Sequence, residues 1–474
     1  MHMGDCFGGY VFYDDNYQEI IEEPRYIKYK GVTENIFKNK DAKVLEINSK
    51  TGLYPLYIAY SMFKQRCEEY EKSKLTYDFQ NKIWNEIIEK NIYVLCKTPM
   101  AKSITKRTLI GFKNISINAH YFNDLINMLE NKEKQFIERI SKNSYWKKGS
   151  ETIMKFDAIV GNPPYQEMTS GYGTQAKPVY NLFVNTAKLI SNNYVSLITP
   201  SRWFSGGMGL NDFRKDMLND NRIAKIVDYP NSKDVFTSAD IAGGVNYFLW
   251  KKDYNGECEV INVINKERFI KKRKLNEYNT FIRFNQAIPI VKKVFEIESF
   301  DKTLETVVSP QKPFGLPTNY EPQNEGVPCW FIQKIGKKYA NPNDIIDDNN
   351  LLNKWKLLVP RSPIAGQTDF TKPVGFYSDR NTNIAKPGEC CTESFIVAGA
   401  FDTEEEVINF KSYLFSKTVR FLLLQAVVSQ DVLRNKYCFV PDLGEYDRIY
   451  TDKYLCKRWN ITEEEWNYID SRIK

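Results

Sequence analysis

Residues 162–165 read Asn-Pro-Pro-Tyr and follow directly on an apolar run at 156–161. Prolines have no backbone N–H and a fixed φ, so this short segment is rigid. It holds two oxygen acceptors in place, the side chain of Asn162 and the carbonyl of Pro163. Two acceptors directed at one –NH₂ group would bind both of its hydrogens and orient the nitrogen lone pair. The segment therefore suits a planar amine that has to act as a nucleophile.

Tyr165, which follows Pro164, offers a flat face on which a heteroaromatic ring can stack. Such stacking contributes about 1–3 kcal/mol per base in nucleic-acid complexes. A proline-stiffened turn that closes a strand is the simpler alternative. The position of the segment favours a binding site, because ligands of open α/β sheets lie at the carboxyl ends of the strands.

The sequence around this segment predicts the elements that position it. Short apolar runs alternate with helical periodicity from residue 42 to residue 250, which predicts a parallel sheet covered by helices on both faces. From about residue 257, clusters of proline, glycine and asparagine separate short strands and two helical patterns. We therefore expect an α/β domain over 1–256, with helices inserted at about 60–90 and 120–150, and a mixed α+β domain over 257–474.

The composition excludes several classes of protein. With 42% hydrophobic and 14% aromatic residues, the 474-residue chain is not disordered. Its net charge of +7 is compatible with a polyanionic partner. Nine cysteines without a Cys-x-x-Cys pair, together with two histidines, argue against a zinc site, so we expect no metal. We find no export signal or membrane span and expect a cytoplasmic protein with reduced thiols.

Several stretches resemble a known family. The stretch "FDAIVGNPPYQ" (156–166) resembles motif IV of the amino-group methyltransferases that act on adenine N6 of DNA. The stretch "KVLEINSKTGLYP" (43–55) resembles the motif I strand and loop of the same enzymes. The order of these motifs is that of the gamma class. The chain is similar to the methylase part of Eco57I-type restriction-modification proteins, which are encoded by bacteria, archaea or phages.

This resemblance implies a Rossmann-like S-adenosylmethionine-dependent methyltransferase sheet followed by a C-terminal target-recognition domain. The implied reaction moves a methyl group from S-adenosylmethionine to adenine N6 of duplex DNA after the base is flipped out. The residues implied for catalysis are Asn162, Pro163, Pro164 and Tyr165. The residues implied for cofactor binding are Glu46, Asn48, Gly52 and Thr33.

Further contacts are expected with the DNA. Tyr165 would lie on one face of the flipped base and an aromatic residue of the run 246–250 on the other. Tyr247, Phe248 and Trp250 are all possible there, and Phe248 is the preferred candidate. Arg202 and Trp203 follow the apolar run 194–200 and would contact a phosphate or a displaced base, and Arg361 would contact DNA from the C-terminal domain. The expected partners are double-stranded DNA and a restriction endonuclease, or a nuclease or helicase region N-terminal to this chain; no membrane is expected.

Two departures from the family pattern keep an alternative open. Lys50 stands where the motif I loop usually has a small residue, and Cys96 follows the second strand where an acid usually binds the ribose. A methylase-like DNA-binding or specificity subunit with a decayed cofactor site would show such changes. Protein glutamine methylation and cytosine-N4 methylation are the alternative reactions for the same Asn-Pro-Pro-Tyr segment.

Overall fold

The structure is a computed structural model that describes residues 1–15, 17, 19–147, 153–167, 177–206, 209–367, 369–427 and 430–474. It divides the chain into two compact units. Unit 1 comprises Met1–Tyr229 and Val245–Leu275, and unit 2 comprises Pro230–Gly244 and Asn276–Lys474.

A nine-stranded sheet forms the centre of unit 1. The strands of this unit are β1 (Gly9–Tyr13), β2 (Ile20–Ile27), β3 (Val44–Ser49), β4 (Ile92–Cys96), β5 (Asn118–Tyr121), β6 (Phe156–Gly161), β7 (Gln166–Glu167), β8 (Lys177–Pro178), β9 (Ser191–Pro200), β10 (Ile223–Tyr229), β11 (Val245–Lys251), β12 (Cys258–Ile264) and β13 (Glu267–Arg273). The order in the large sheet is β13-β12-β10-β11-β9-β6-β3-β4-β5. From β9 to β5 every pair is parallel, and β11 is antiparallel to both of its neighbours. The predicted Rossmann-like α/β sheet is confirmed.

Helices connect these strands. They are α1 (His2–Phe7), α2 (Leu53–Cys67), α3 (Tyr77–Lys90), α4 (Pro99–Ile110), α5 (Leu125–Asn131), α6 (Glu133–Ile140), α7 (Asn143–Trp146), α8 (Tyr180–Ile190) and α9 (Asn211–Asn219). A π-helix (Glu34–Lys38) and 3₁₀ turns (Lys72–Lys74 and Ser201–Ser205) complete the unit. Helices α2 and α3 occupy the first predicted insertion and α5 to α7 the second, whose last residues, 148–150, lie outside the described residues.

The predicted domain boundary at residue 256 is wrong in this structure. Strand β12 pairs in parallel with β10, and β13 pairs with β12 as an antiparallel edge strand, so both extend the sheet of unit 1. Val260 and Ile261 of β12 are buried, which explains why the hairpin stays with that sheet. The boundary lies after Leu275, and residues 230–244 belong to unit 2.

Unit 2 is a mixed α+β unit. Its strands are β14 (Val327–Trp330), β15 (Lys337–Ala340), β16 (Trp355–Pro360), β17 (Asn383–Ala385), β18 (Cys390–Cys391) and β19 (Phe395–Phe401). Its helices are α10 (Ile288–Ile297), α11 (Glu404–Phe415), α12 (Lys417–Leu424), α13 (Asp452–Arg458) and α14 (Glu463–Arg472). Two three-stranded sheets have the orders β15-β14-β18 and β17-β16-β19. Among the described residues of the whole chain, no helix has the length and apolarity needed to span a bilayer.

Candidate functional site

The Asn162–Tyr165 segment begins where the central strand β6 ends. Strand β6 lies between β3 and β9 and runs parallel to both. Its last residue, Gly161, passes so close to β3 that a Cβ there would lie 2.5 Å from the carbonyl oxygen of Ile47. Only glycine fits without a backbone shift, and this close approach brings the catalytic segment beside the loop that follows β3.

One hydrogen bond joins the two predicted motifs. Asn48 Nδ2 donates to the main-chain oxygen of Asn162 at 3.0 Å. Asn48 has a φ of 66°, in the left-handed region that asparagine enters more readily than most residues. The structure therefore brings the predicted cofactor loop and the predicted catalytic segment into direct contact.

Three buried polar atoms of this region have no hydrogen-bond partner among the described residues: Glu46 Oε2, Asn162 Oδ1 and Tyr165 Oη. A buried polar group without a partner costs roughly 1–3 kcal/mol, so such groups are uncommon in folded proteins. Their concentration at the carboxyl ends of adjacent strands β3 and β6 indicates a place where a polar ligand binds.

The carboxyl group of Glu46 is unusual in its protonation. Burial raises its pKa from 4.5 to about 8, while a hydrogen bond with Ser49 and the charge of Lys50 act in the opposite direction. The group therefore carries a proton at neutral pH when no ligand compensates its burial. A ligand with cationic or hydrogen-bond-donating groups would favour the charged form.

A further wall contains His2, Tyr54 and Ser196, which the sequence did not single out, and Tyr247, one of the three candidate stacking residues. The hydroxyl of Tyr54, in the first turn of α2, contacts His2 Nδ1 at 2.8 Å. His2 Nε2 contacts Ser196 Oγ at 2.7 Å, and the His2 ring stacks on Tyr247 with ring centroids 4.5 Å apart. Burial raises the pKa of Tyr54, and the neighbouring Glu46 and Tyr165 raise it further. Two sequence signals point to this wall: Tyr54 follows Gly52 by two residues, and Tyr247 lies in the aromatic run 246–250.

Helix α4 supports the loop after β3. Gly52 has a φ of 78°, and a Cβ there would lie 3.1 Å from Thr105 Cα. Ser49 Oγ and Thr105 Oγ1 are 2.9 Å apart, and Thr108 Oγ1 donates to the carbonyl of Thr51 at 2.6 Å. The loop therefore has a fixed path even though it carries Lys50, whose side chain is exposed.

Cys96, at the end of β4, is a buried packing residue in this structure. Burial raises its pKa to about 11, and Thr105 is its hydrogen-bonding neighbour. The thiol is therefore uncharged at neutral pH and does not replace the carboxylate that the family pattern has at this position.

Three of the predicted site residues lie within the fold, away from the Asn162–Tyr165 segment's predicted ligand contacts, and their roles stay predictions. The Thr33 hydroxyl donates to the carbonyl of Phe7 at 2.8 Å and accepts from the amide of Tyr29 at 2.7 Å, so it is used within the fold. Phe248 is fully buried in β11, and strand alternation turns it away from the face on which Tyr247 meets His2. Trp203 is fully buried and packs edge-to-face on Phe204 and Phe213.

The two arginines expected at DNA are accessible. Arg202 is partly exposed in the 3₁₀ turn that follows β9, at the same end of the sheet as Asn162. Arg361 directly follows β16 in unit 2, and its Nη1 forms an ion pair with Glu393 at 2.8 Å. Its side chain keeps 31% exposure, so the ion pair orients the guanidinium group without burying it.

Comparisons with known proteins find similarity to methylases. Residues 90–236 match the family model described as Eco57I restriction-modification methylase. An uncharacterized adenine-specific methylase of Mycoplasma pneumoniae is 34% identical over 132 residues, which are 27% of this chain and 30% of that protein. The chain thus spans less than a third of this curated relative.

Solved structures of restriction-modification proteins are also similar. The type IIL restriction-modification enzyme MmeI in complex with DNA has a TM-score of 0.49 at 9% identity, over 84% of this chain and 61% of that chain. The type IIG restriction endonuclease BpuSI has a TM-score of 0.38 at 9% identity, over 90% of this chain and 59% of that chain. The family match covers β6 and the Asn162–Tyr165 segment. Residues 90–236 are thus similar to the Eco57I restriction-modification methylase family.

Proposed function

We propose that this chain methylates N6 of adenine in duplex DNA, with S-adenosylmethionine as methyl donor, as part of a restriction-modification system in the cytoplasm. One observation carries the proposal. Asn162 Oδ1 is buried without a partner at the end of the central strand, in a rigid Asn-Pro-Pro-Tyr segment. An acceptor in that position can accept a hydrogen bond from one N–H of an aromatic amine.

The chain's own residues would orient and activate the target amine. The Asn162 side chain and the Pro163 carbonyl accept its two hydrogens, which leaves the nitrogen lone pair free for attack. Tyr165 supplies the stacking face for the flipped base, whose extrusion costs a few kcal/mol. Most of the rate enhancement would come from holding two reactants in line.

The residues after β3 fit the methyl donor. The unpartnered oxygen of Glu46 can accept a hydrogen bond from a donor group, and Asn48 and Gly52 shape the adjoining loop. When bound, S-adenosylmethionine supplies a methyl group on a positively charged sulfur. Tyr54 and His2 would border this place and limit its access to water.

Unit 2 would recognise the target sequence in this proposal, with Arg361 among its DNA contacts and Arg202 contacting DNA from unit 1. A restriction endonuclease, or a nuclease or helicase region, would complete the system. The name of the Mycoplasma relative supports adenine over cytosine as the target. The length of unit 2 favours DNA over a glutamine side chain, since a protein methyltransferase needs no such unit.

The substitution Asn162→Ala removes one of the two acceptors proposed to bind the target amine. We expect transfer of tritiated methyl groups to duplex DNA to fall on the order of 100-fold or more, because one of two preorganised acceptors is lost. An unchanged melting temperature would exclude unfolding as the cause. Asn185→Ala, an exposed change in the same unit, is the matched control. Retained transfer in Asn162→Ala, or transfer to cytosine in the unchanged chain, would contradict the proposal.

A second candidate function is a DNA-binding specificity subunit without catalysis. The exposed Lys50 in the loop after β3 and the uncharged Cys96 after β4 favour it. Calorimetric titration with S-adenosylmethionine, with and without DNA, separates the two candidates. Binding supports the methyltransferase, and absence of binding by a folded chain supports the specificity subunit.

A further inference from the structure

Unit 2 contains a cavity of about 400 Å³ between the ends of β14, β16, β17 and β19. This volume lies in the range of small-molecule sites. One part of its lining is aromatic, with Trp330, Phe331 and Phe395. Another part carries two guanidinium groups, of Arg361 and Arg380, and no carboxylate belongs to the described lining.

Arg380 gives this cavity a net positive charge, because the charge of Arg361 is offset by an ion pair. Arg361 is held by Glu393, which lies outside the lining, at 2.8 Å. Arg380 is exposed and forms no ion pair with any described residue. Its guanidinium group is therefore free to form charge-assisted hydrogen bonds with a phosphate or a base edge. Such bonds are stronger than hydrogen bonds between neutral groups.

A buried hydroxyl in the same lining also lacks a partner. Ser394 Oγ is buried and forms no hydrogen bond among the described residues. A hydroxyl of this kind can both donate and accept. Amide side chains of Asn381 and Asn383 add further donors and acceptors to the lining. The cavity thus combines an apolar wall, a positive charge and unsatisfied polar groups.

We propose that this cavity binds a single nucleotide, with its base against the aromatic wall and its phosphate at Arg380. A concave site does not suit base pairs, whose edges lie at the floor of the DNA grooves and are reached by protruding elements. A nucleotide outside the double helix, whether free or turned out of a nucleic acid, matches both shape and charge. The site is separate from Asn162 and does not depend on methyl transfer.

Titration calorimetry with the four deoxynucleoside monophosphates tests this site. The full chain carrying Asn162→Ala is used, so that adenine binding in unit 1 is weakened. We expect Arg380→Ala to weaken binding about tenfold or more, because a charge-assisted contact is lost. Ser394→Ala should weaken it about threefold or more. Deoxynucleosides, which lack the phosphate, should also bind about tenfold or more weakly than the monophosphates.

A control variant tests whether the effect is specific to Arg380, and an oligonucleotide distinguishes nucleic acid from free nucleotides as the ligand. Arg448→Ala removes an exposed arginine of unit 2 that pairs with Asp447, and it should leave binding unchanged. A single-stranded oligonucleotide that binds more tightly, and that a monophosphate displaces, assigns the site to nucleic acid. Equal affinity of both assigns it to free nucleotides. Absence of binding by the folded chain, or binding unaffected by Arg380→Ala, overturns the proposal, whatever the result for methyl transfer.

Discussion

Glu46 and Asn162 share one property that bears on the proposed function. Each has an oxygen that is buried without a partner, and the two lie on adjacent parallel strands. Such groups lower the stability of the ligand-free protein and bind a matching ligand more strongly. Their chemistry predicts measurable effects on stability, separate from any assay of activity.

The change Glu46→Gln keeps the shape of the side chain and removes its titration. The unfolded chain releases the proton near pH 4.5, and the folded chain holds it up to about pH 8. The unchanged protein therefore loses stability as pH rises between these values, by roughly 5 kcal/mol in the limit. We expect the variant's advantage in free energy of unfolding to grow from pH 5 to pH 8. Urea titrations check this, and a difference independent of pH would contradict it.

Asn48 has two roles that substitutions can separate. Its left-handed backbone and its hydrogen bond to Asn162 both contribute to the site. Asn48→Gly should retain the backbone and lose the hydrogen bond, costing about 1 kcal/mol, whereas Asn48→Ala adds backbone strain of about 1 kcal/mol or more. Chemical unfolding measures both, and we expect methyl transfer to fall in both. Equal stability of the two variants would contradict the role of the backbone.

The local sequence of a strand or loop was sufficient to predict the position of some site residues and insufficient for others. The sequence predicted where the Asn162–Tyr165 segment and Gly52 lie, because prolines and a glycine at the end of a strand reflect the local backbone conformation. Burial of Phe248 and Trp203 depends on which elements pack over them, which no local pattern specifies. The wall of His2, Tyr54, Ser196 and Tyr247 joins four distant segments, so its assembly was not predictable for the same reason, although Tyr247 was a candidate stacking residue.

The hairpin of β12 and β13 shows the same limit. Strand β13 alternates poorly and carries several charged residues, because one side of an edge strand faces water. Its sequence therefore resembles a connection between domains, although its pairing with β12 places it in the sheet of unit 1. The boundary between the two units after Leu275 is set by the pairing of β12 with β10, which are distant in sequence. The composition of the hairpin did not indicate it.

The close approach of β6 to β3 predicts that a larger residue at position 161 would disturb both strands. Gly161→Ala would place a Cβ 2.5 Å from the carbonyl of Ile47, so the strand end must shift. We expect a loss of about 1–3 kcal/mol in unfolding free energy and a larger loss of methyl transfer, because Asn162 is the next residue. Gly375→Ala, whose Cβ would make only ordinary contacts, is the control. Unchanged activity in Gly161→Ala would contradict this link.

Residues 230–244 leave unit 1 at the end of β10 and return to it at the start of β11. Tyr229 and Val245 are paired across these antiparallel strands. A two-residue Asn-Gly turn can therefore replace the whole segment without disturbing the sheet. The replacement should leave binding of S-adenosylmethionine within about threefold and lower sequence-specific methylation about tenfold or more, because unit 2 loses part of its structure. Calorimetry and DNA methylation assays measure these effects, and loss of cofactor binding would contradict the prediction.

The chain passes between the units three times, at residues 229/230, 244/245 and 275/276. If unit 2 recognises DNA as proposed, its recognition specificity cannot be transferred to a relative by a single crossover between genes. A recombinant joined only at the last passage would combine residues 230–244 of one parent with the remainder of unit 2 from the other. Functional hybrids therefore require matched exchange of two separate gene segments, which constrains both natural recombination and the engineering of new specificities.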